Sequence, residues 1–516
     1  MPISRREALR CMGAACSVFA MSRNARASNG KAVPFEPTRS SLQAYEVPEW
    51  YRDAKFGIWA HWGPQSAIED GDWYARNMYM QSSDQYQHQL ATYGHPSKVG
   101  YKDLVNIWHA DKWDPDHLMS LYKKAGAKYF VSMGVHHDNF DLWDSKYTRW
   151  NSVKMGPHKD VVGLWREAAR KHGLRFGVSE HLWISYKWFA VSHGADKTGS
   201  LAGVPYDGIK PEFADLYHDA DCARFVDELG WNDDGIPDSW KRQYLDRITD
   251  LIDKYQPDLL YTDGHLPFEE YGLRMVSHLY NVSAQLNAGM NKAVYTSKES
   301  TDCAIGTCVL DHERGVADGI SEKPWQTDTC IGQWHYKRGQ KYKTAKKVID
   351  LLVDIVSKNG NLLLNFPLPN SGHLDSEEME ILEGITEWME VNGDGIYGTR
   401  PWKIYGEGPS TRQKIETGKI ATSNFNENKK KDLTGEDVRF TRKGNTVFAF
   451  VMGKPEIAEV NALGLWSAQN PGKIQRVQIL GRGDKVQWIQ DDSALRVRVP
   501  ADLASRIGFT LKVDFA

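Results

Sequence analysis

Three short apolar runs in the first half of the chain each end in a burst of His, Trp and Asp: FGIWAHWG (Phe56–Gly63), YFVSMGVHHDNF (Tyr129–Phe140) and LLYTDGH (Leu259–His265). Strand formers that finish in side chains able to bind and protonate are the pattern of a parallel barrel or sheet, whose strand carboxyl ends carry the chemistry. Polar groups are costly to bury without partners. Their return at the same end of successive strands therefore points to one shared pocket.

At 516 residues the chain is too long for one compact core and predicts two domains or three. From about Val47 to about Asn392, short apolar runs alternate with amphipathic stretches, as βα units do. Strands are expected at Phe56–His61, Tyr129–Val135, Arg175–Ser179, Leu259–Thr262, Ala293–Thr296, Cys308–Leu310 and Leu362–Phe366. Helices are expected at Pro115–Ala125, Val161–His172, Trp240–Tyr255, Lys343–Lys358 and Ser376–Asn392, several behind capping residues such as Asp114 and Asp375. About eight such units close a barrel. The surplus segment Ile184–Pro237, rich in Gly, Asp and aromatics, reads as a decoration beside the pocket.

After Trp402 the texture changes. Gly408–Leu433 is polar without periodicity, and alternating runs follow at Val438–Thr441, Thr446–Met452, Ile474–Leu480, Val486–Ile489, Leu495–Val499 and Ile507–Val513. The expected fold is α/β: a (β/α)8-like TIM barrel over 28–398, then a C-terminal antiparallel β-sandwich over 405–516.

The N-terminus reads as a twin-arginine type export signal over 1–27. Ser4-Arg5-Arg6 precedes an apolar stretch from Ala8 to Met21, which reaches Ala25-Arg26-Ala27. That stretch is too short to span a bilayer, so a periplasmic or secreted protein with no membrane span is expected. Cys16 as a lipoprotein site fits its neighbours poorly. Of the cysteines past the signal, Cys303 and Cys308 are the nearest pair for a disulfide; buried free thiols, with Cys222 and Cys330, are the alternative. A formal net charge of −3 argues against a nucleic-acid partner. The 19 Trp and 23 Tyr suit a carbohydrate site, and equally a large core.

Asp263 follows a strand and precedes Gly264, so it stands at a strand's carboxyl lip as a nucleophile, a metal ligand or a cap. His136 and His137 leave their strand together. Adjacent strand residues face opposite ways, so both reach a ligand only where the strand has ended. Adjacent histidines chelate poorly without further ligands, and no metal is assigned. His61-Trp62-Gly63 and Asp72-Trp73-Tyr74 offer hydrogen-bonding imidazole and a stacking face. Val309–Asp328 adds Asp311, Glu313, Arg314, Asp318 and Glu322. Glycoside hydrolysis needs one carboxylate to attack and one carboxylic acid to release the leaving oxygen, and Asp263 with a glutamate of this stretch meets that need.

In order along the chain, KFGIWAHWG, DWY, HHDNFDLWDS, YTDG, ERG-to-PWQTD, IGQWHY and GNLLLNFPLPNSG resemble the retaining α-L-fucosidases, glycoside hydrolase family 29, over roughly Val47 to Trp402. The resemblance implies an exo-acting α-L-fucosidase with Asp263 as nucleophile and a fucosylated glycan as substrate, without cofactor or metal. It implies that His61, Trp73, His136 and His137 hold the sugar, that Trp334 packs near its methyl group, and that Arg314 steadies sugar and nucleophile. Where the family commonly has Gly-x-Tyr-x-Ser, this chain reads Gly177-Val178-Ser179-Glu180-His181, so Glu180 or His181 replaces a tyrosine contact. The acid/base is Glu313 or Glu322. Rival readings are a related exo-α-L-glycosidase acting on an α-L-galactoside or a sulfated fucoside, and a non-catalytic fucose-binding protein.

Overall fold

Eight parallel strands pair in chain order, and the last closes on the first. They are β1 (Phe56–Ala60), β2 (Tyr129–Val135), β3 (Arg175–Glu180), β4 (Leu259–Thr262), β5 (Val294–Ser297), β6 (Val309–Glu313), β7 (Trp325–Cys330) and β8 (Gly360–Asn365). The structure, a computed structural model, describes residues 34–227, 229–304, 306–412, 425–469, 471–505 and 507–515. The expected export signal lies outside them. A TIM barrel followed by antiparallel sheets is what the alternation of runs implies, and it is what forms.

The barrel interior is a packed core of Trp59, Tyr129, Val131, Leu259, Tyr261, Val294, Val309 and Leu363. Gly57 is there for room: a Cβ on it would meet the Tyr129 ring at 2.4 Å. That ring donates its hydroxyl to Gln326 Oε1 at 3.1 Å, as Tyr51 does at 2.9 Å. Outside the strands pack the long helices α1 (Pro115–Lys124), α2 (Val161–Lys171), α3 (Asp238–Tyr255), α4 (Glu270–Leu286), α5 (Ala345–Ser357) and α6 (Ser376–Asn392). Their starts follow the sequence. Asp114 caps α1 by accepting from His117 N, and Asp375 with Glu378 makes a capping box for α6.

Between β3 and α3, the expected decoration folds as a series of short helices from Ser185–Trp188 to Ala220–Phe225. The C-terminal part is a five-stranded antiparallel sheet facing a three-stranded one. The first holds β9 (Arg400–Glu407), β10 (Val438–Lys443), β11 (Thr446–Val451), β13 (Ile474–Ile479) and β16 (Phe509–Phe515), the second β12 (Ile457–Val460), β14 (Trp488–Gln490) and β15 (Leu495–Arg498). The first strand thus starts at Arg400, ahead of the boundary expected at 405.

Helix α5 joins the two parts. Its Asp354 carboxylate accepts from Arg439 Nε of β10 at 2.6 Å and from Lys358 Nζ at 2.8 Å, with Lys430 Nζ at 3.3 Å. These cations outweigh burial and hold Asp354 well below the usual carboxylate range. Removing one member of a buried ion group leaves the others uncompensated. An Asp354→Ala variant should therefore lose about 3–5 kcal/mol of stability, read as a lower urea midpoint.

Candidate functional site

The carboxyl ends of the strands surround a pocket of about 340 Å³, within the range of roughly 300–1,000 Å³ typical of small-molecule sites. Asp263 stands on its floor, one residue past β4. The turn behind it needs Gly264, whose φ is +114° and on which a Cβ would meet the Trp183 indole at 3.1 Å. Trp183 Nε1 in turn donates to Asp263 O at 2.6 Å. The carboxylate is held on both oxygens. Oδ1 accepts from Lys298 Nζ at 2.6 Å, and Oδ2 lies 3.1 Å from His181 Nδ1 and 3.3 Å from His137 Nε2.

Lys298, one residue past β5, also donates to Glu313 Oε2 at 2.6 Å. One ammonium therefore ties two carboxyl groups, and the two bonded oxygens can be separated by no more than twice that distance. Burial pushes Asp263 upward, but Lys298, then His181 and His137, outweigh it and hold the group well below the usual range. Glu313 goes the other way: burial raises it, Lys298 opposes, and the charges of Asp328 and Asp263 add to the rise. Burial works against the charge of Lys298, but Asp263, Asp328 and Glu313 keep it protonated. Deeper in the barrel Asp311, held well above the usual carboxylate range by burial and then by Asp328, accepts from Gln326 Nε2 at 2.8 Å.

The histidines form the opposite wall. The HHDNFD segment turns sharply off β2, with Asn139 in the left-handed region (φ 63°) and Asp141 paired with the fully buried Arg247 of α3. Asp138 accepts from Tyr101 OH at 2.6 Å. With this corner fixed, Gln65 Nε2 donates to His136 Nδ1 at 2.9 Å, and His137 Nδ1 meets His181 O at 2.6 Å. His136 thus carries its proton on Nε2. Burial first, then neighbouring imidazoles, holds His61 and His136 well below the usual histidine range, so both are neutral. His335 Nδ1 sits on Asp72 Oδ1 at 2.5 Å. His61 Nδ1 and His335 Nε2 are buried without a protein partner, which is how a site built for a polar ligand looks. The ring nitrogens of His61, His136 and His335 lie within 4.8 Å of one another, as do those of His136, His137 and His181. Either set has the spacing to hold a metal ion, and the same ring nitrogens suit sugar hydroxyls. Trp59, Trp73 and Trp334 complete the walls.

Three sequence expectations need correction. Glu322 is exposed at the amino ends of β7 and β8, where Asn359 of the loop before β8 reaches its carbonyl, so it lies at the other mouth of the barrel. Glu180 points outward from β3 and is buried under Tyr244 OH (2.8 Å) and Thr262 Oγ1 (2.6 Å). Burial raises it to about 7. Strand alternation sends His181, and not Glu180, to Asp263. Arg314 stacks over Trp334 at 4.8 Å and donates to Gly332 O at 3.1 Å. The cation on Asp263 is Lys298, which sequence reasoning passed over; its one signal was a lone Lys directly after a strand.

The segment after β9 reaches back to this site. Phe425 N donates to Glu313 O at 2.7 Å, and Glu427 N to Arg314 O at 3.0 Å. Asn426 exchanges two 2.9 Å bonds with Val316.

Two carboxyl groups with opposed pKa values, at the mouth of a (β/α)8 barrel among imidazoles and indoles, define a glycoside hydrolase. The family model described as Alpha-L-fucosidase matches residues 21–394, and that described as Alpha-L-fucosidase C-terminal domain matches residues 430–514. The chain belongs to the alpha-L-fucosidase family. It is similar to the tissue alpha-L-fucosidase of Rattus norvegicus, 25% identical over 483 residues that cover 90% of this chain and 89% of the relative. The tissue alpha-L-fucosidase of Homo sapiens is likewise 25% identical over 481 residues, covering 90% and 88%. Among solved structures, Thermotoga maritima alpha-fucosidase in complex with fucose is 26% identical with a TM-score of 0.68, covering 93% of this chain and 100% of that one.

Proposed function

We propose that this fucosidase releases terminal α-L-fucosyl residues from glycans with retention of configuration, using Asp263 as nucleophile and Glu313 as acid/base. The carrying observation is the shared Lys298 ammonium, 2.6 Å from each carboxyl group. It keeps the two bonded oxygens within twice that distance of each other, which suits the spacing of roughly 5–5.5 Å of retaining enzymes better than the roughly 6.5–9.5 Å that an interposed water needs. Asp263, ionised, attacks the anomeric carbon. Glu313, protonated, gives its proton to the departing oxygen. Once Asp263 is an ester its charge no longer raises Glu313, which then takes a proton from the attacking water. His61 and His136, both neutral, bind ring hydroxyls. Trp59 and Trp334, 5.4 Å apart, give an apolar wall suited to a C6 methyl.

Incubation with a 2-fluoro fucosyl fluoride should leave a fluorofucosyl group on the peptide containing Asp263, and the first sugar released from substrate should be the α-anomer. A label elsewhere, or the β-anomer first, would sink the assignment. An aryl α-L-galactoside should be turned over about ten- to a hundredfold less efficiently than the fucoside, since an apolar pocket rejects an added hydroxyl only modestly. In a Lys298→Met variant both limbs of the pH profile of kcat/KM should move to higher pH. Without the ammonium, ionisation of Asp263 and of Glu313 each becomes harder.

The export reading of 1–27 draws support from the Cys303–Cys308 disulfide, a bond that oxidising compartments sustain. Protein recovered from a bacterial periplasm should begin at Ser28.

A further inference from the structure

Two acids beneath the catalytic groups take no part in the steps above. Asp311 of β6 and Asp328 of β7 are fully buried on neighbouring strands, whose register sets Asp311 beside Gln326 and Glu313 beside Asp328. The two carboxyl groups hydrogen-bond each other. Asp311 Oδ1 accepts from Gln326 Nε2 at 2.8 Å, and Asp328 Oδ2 from Tyr261 OH at 3.2 Å. The remaining oxygens, Asp311 Oδ2 and Asp328 Oδ1, are buried with no other protein group to satisfy them. Two buried carboxyl groups in contact cannot both ionise. A single proton held between them supplies the donor that is missing.

The pair also lies directly below Lys298. Asp328 Oδ2 is 3.8 Å from Lys298 Nζ, too long for a hydrogen bond but close for two buried charges. Tyr261, which donates to that same oxygen, holds its ring 5.7 Å from the ammonium. Lys298 makes its two short bonds upward, to Asp263 and Glu313. Those two partners exchange charge during turnover. When Asp263 becomes an ester, Glu313 has given its proton to the departing oxygen, so one anion replaces the other. Asp328 takes part in neither transfer. We infer that Asp311 and Asp328 are positioning residues, a pair that shares one proton and so presents a constant single negative charge holding the Lys298 ammonium between Asp263 and Glu313. This rests on the catalytic reading of Glu313 given above.

The other titratable groups facing the pair are phenols: Tyr261 of β4, and Tyr51 and Tyr129, whose hydroxyls donate to Gln326. Burial holds all three well above the usual phenol range, so none releases a proton to the pair. Lys298 and Glu313 bring the charges that face it, with Asp263 on the far side of Lys298.

The test is the pH dependence of kcat/KM on two substrates. One is an aryl α-L-fucoside with a poor leaving group. The other is α-L-fucosyl fluoride, whose leaving group needs no proton. Asp328→Asn removes a charge that raises Glu313. The alkaline limb on the aryl fucoside should therefore move to lower pH by about one unit, a loss of roughly tenfold on that side. The fluoride profile should show no such movement. Asp311→Asn keeps an N–H where the shared proton was and leaves Asp328 its charge, so its limb should stay in place. A limb unmoved in Asp328→Asn overturns the proposal, since an acid that only fills space would give that result. A limb that moves in Asp311→Asn overturns it too, because the two acids would then not share one proton. If Asp328→Asn does not fold, infrared spectra of the unaltered enzyme with isotopically labelled aspartate read the proton directly. A carboxylic-acid band persisting above neutral pH is expected, and its absence overturns the pair. Glu313→Gln separates the two readings. If that variant keeps the alkaline limb, the catalytic reading of Glu313 fails; if it loses the limb while Asp328→Asn does not shift it, the pair alone fails.

Discussion

In an Asp263→Gly variant, kcat on an aryl α-L-fucoside is expected to fall on the order of 10⁵-fold or more, the scale seen when a covalent nucleophile is removed. The fold should survive. The Asp263 backbone keeps its bonds to Glu180 O and from Trp183 Nε1, and Lys298 keeps Glu313 and Asp328. Added azide should then restore turnover by entering from the face the carboxylate has left, yielding the β-fucosyl azide. Rescue with the α-azide, or substantial activity without azide, would place the nucleophile elsewhere.

Glu313→Gln is the second large effect. Loss of a positioned general acid costs roughly 10²- to 10⁴-fold, and the loss should depend on the leaving group. Disaccharides, which need the proton, should suffer most; the fluoride, which does not, least. The pH profile supplies an independent reading. Since burial and the Asp328 and Asp263 charges raise Glu313, the protonated acid persists above the ordinary glutamate range, and activity should decline only as pH rises through that raised value. The variant should lack this decline. The acidic limb belongs to Asp263, which stays ionised well below the usual range, so it should remain in place.

The barrel was legible because its strands are short apolar runs with polar endings. Strand β7 was not, since WQTDTC turns Gln326 and Asp328 into the barrel interior and so carries no apolar signal. Helix α4 was missed, and β9 and β12 likewise. In the site, residues at or just past strand ends come together: His61, His136, Asp263 and Glu313 line one pocket, and His137 reaches Asp263. Glu322 misled because distance in sequence says nothing of which end of a barrel a loop visits. Lys298 was overlooked because a single lysine carries no motif; only the fold shows that β5 delivers it between two acids.

The clasp between Phe425–Glu427 and the Glu313–Val316 turn joins residues 110 positions apart in the chain. Backbone that lies beyond the barrel thereby holds the turn that follows Glu313. A chain stopped after α6 would retain Asp263 and the histidine wall, and Glu313 would keep its place in β6 and its bond to Lys298, but the turn after it would lose the bonds from Phe425, Asn426 and Glu427. Grafting a foreign C-terminal domain onto this barrel would succeed only if the graft also rebuilt those few bonds.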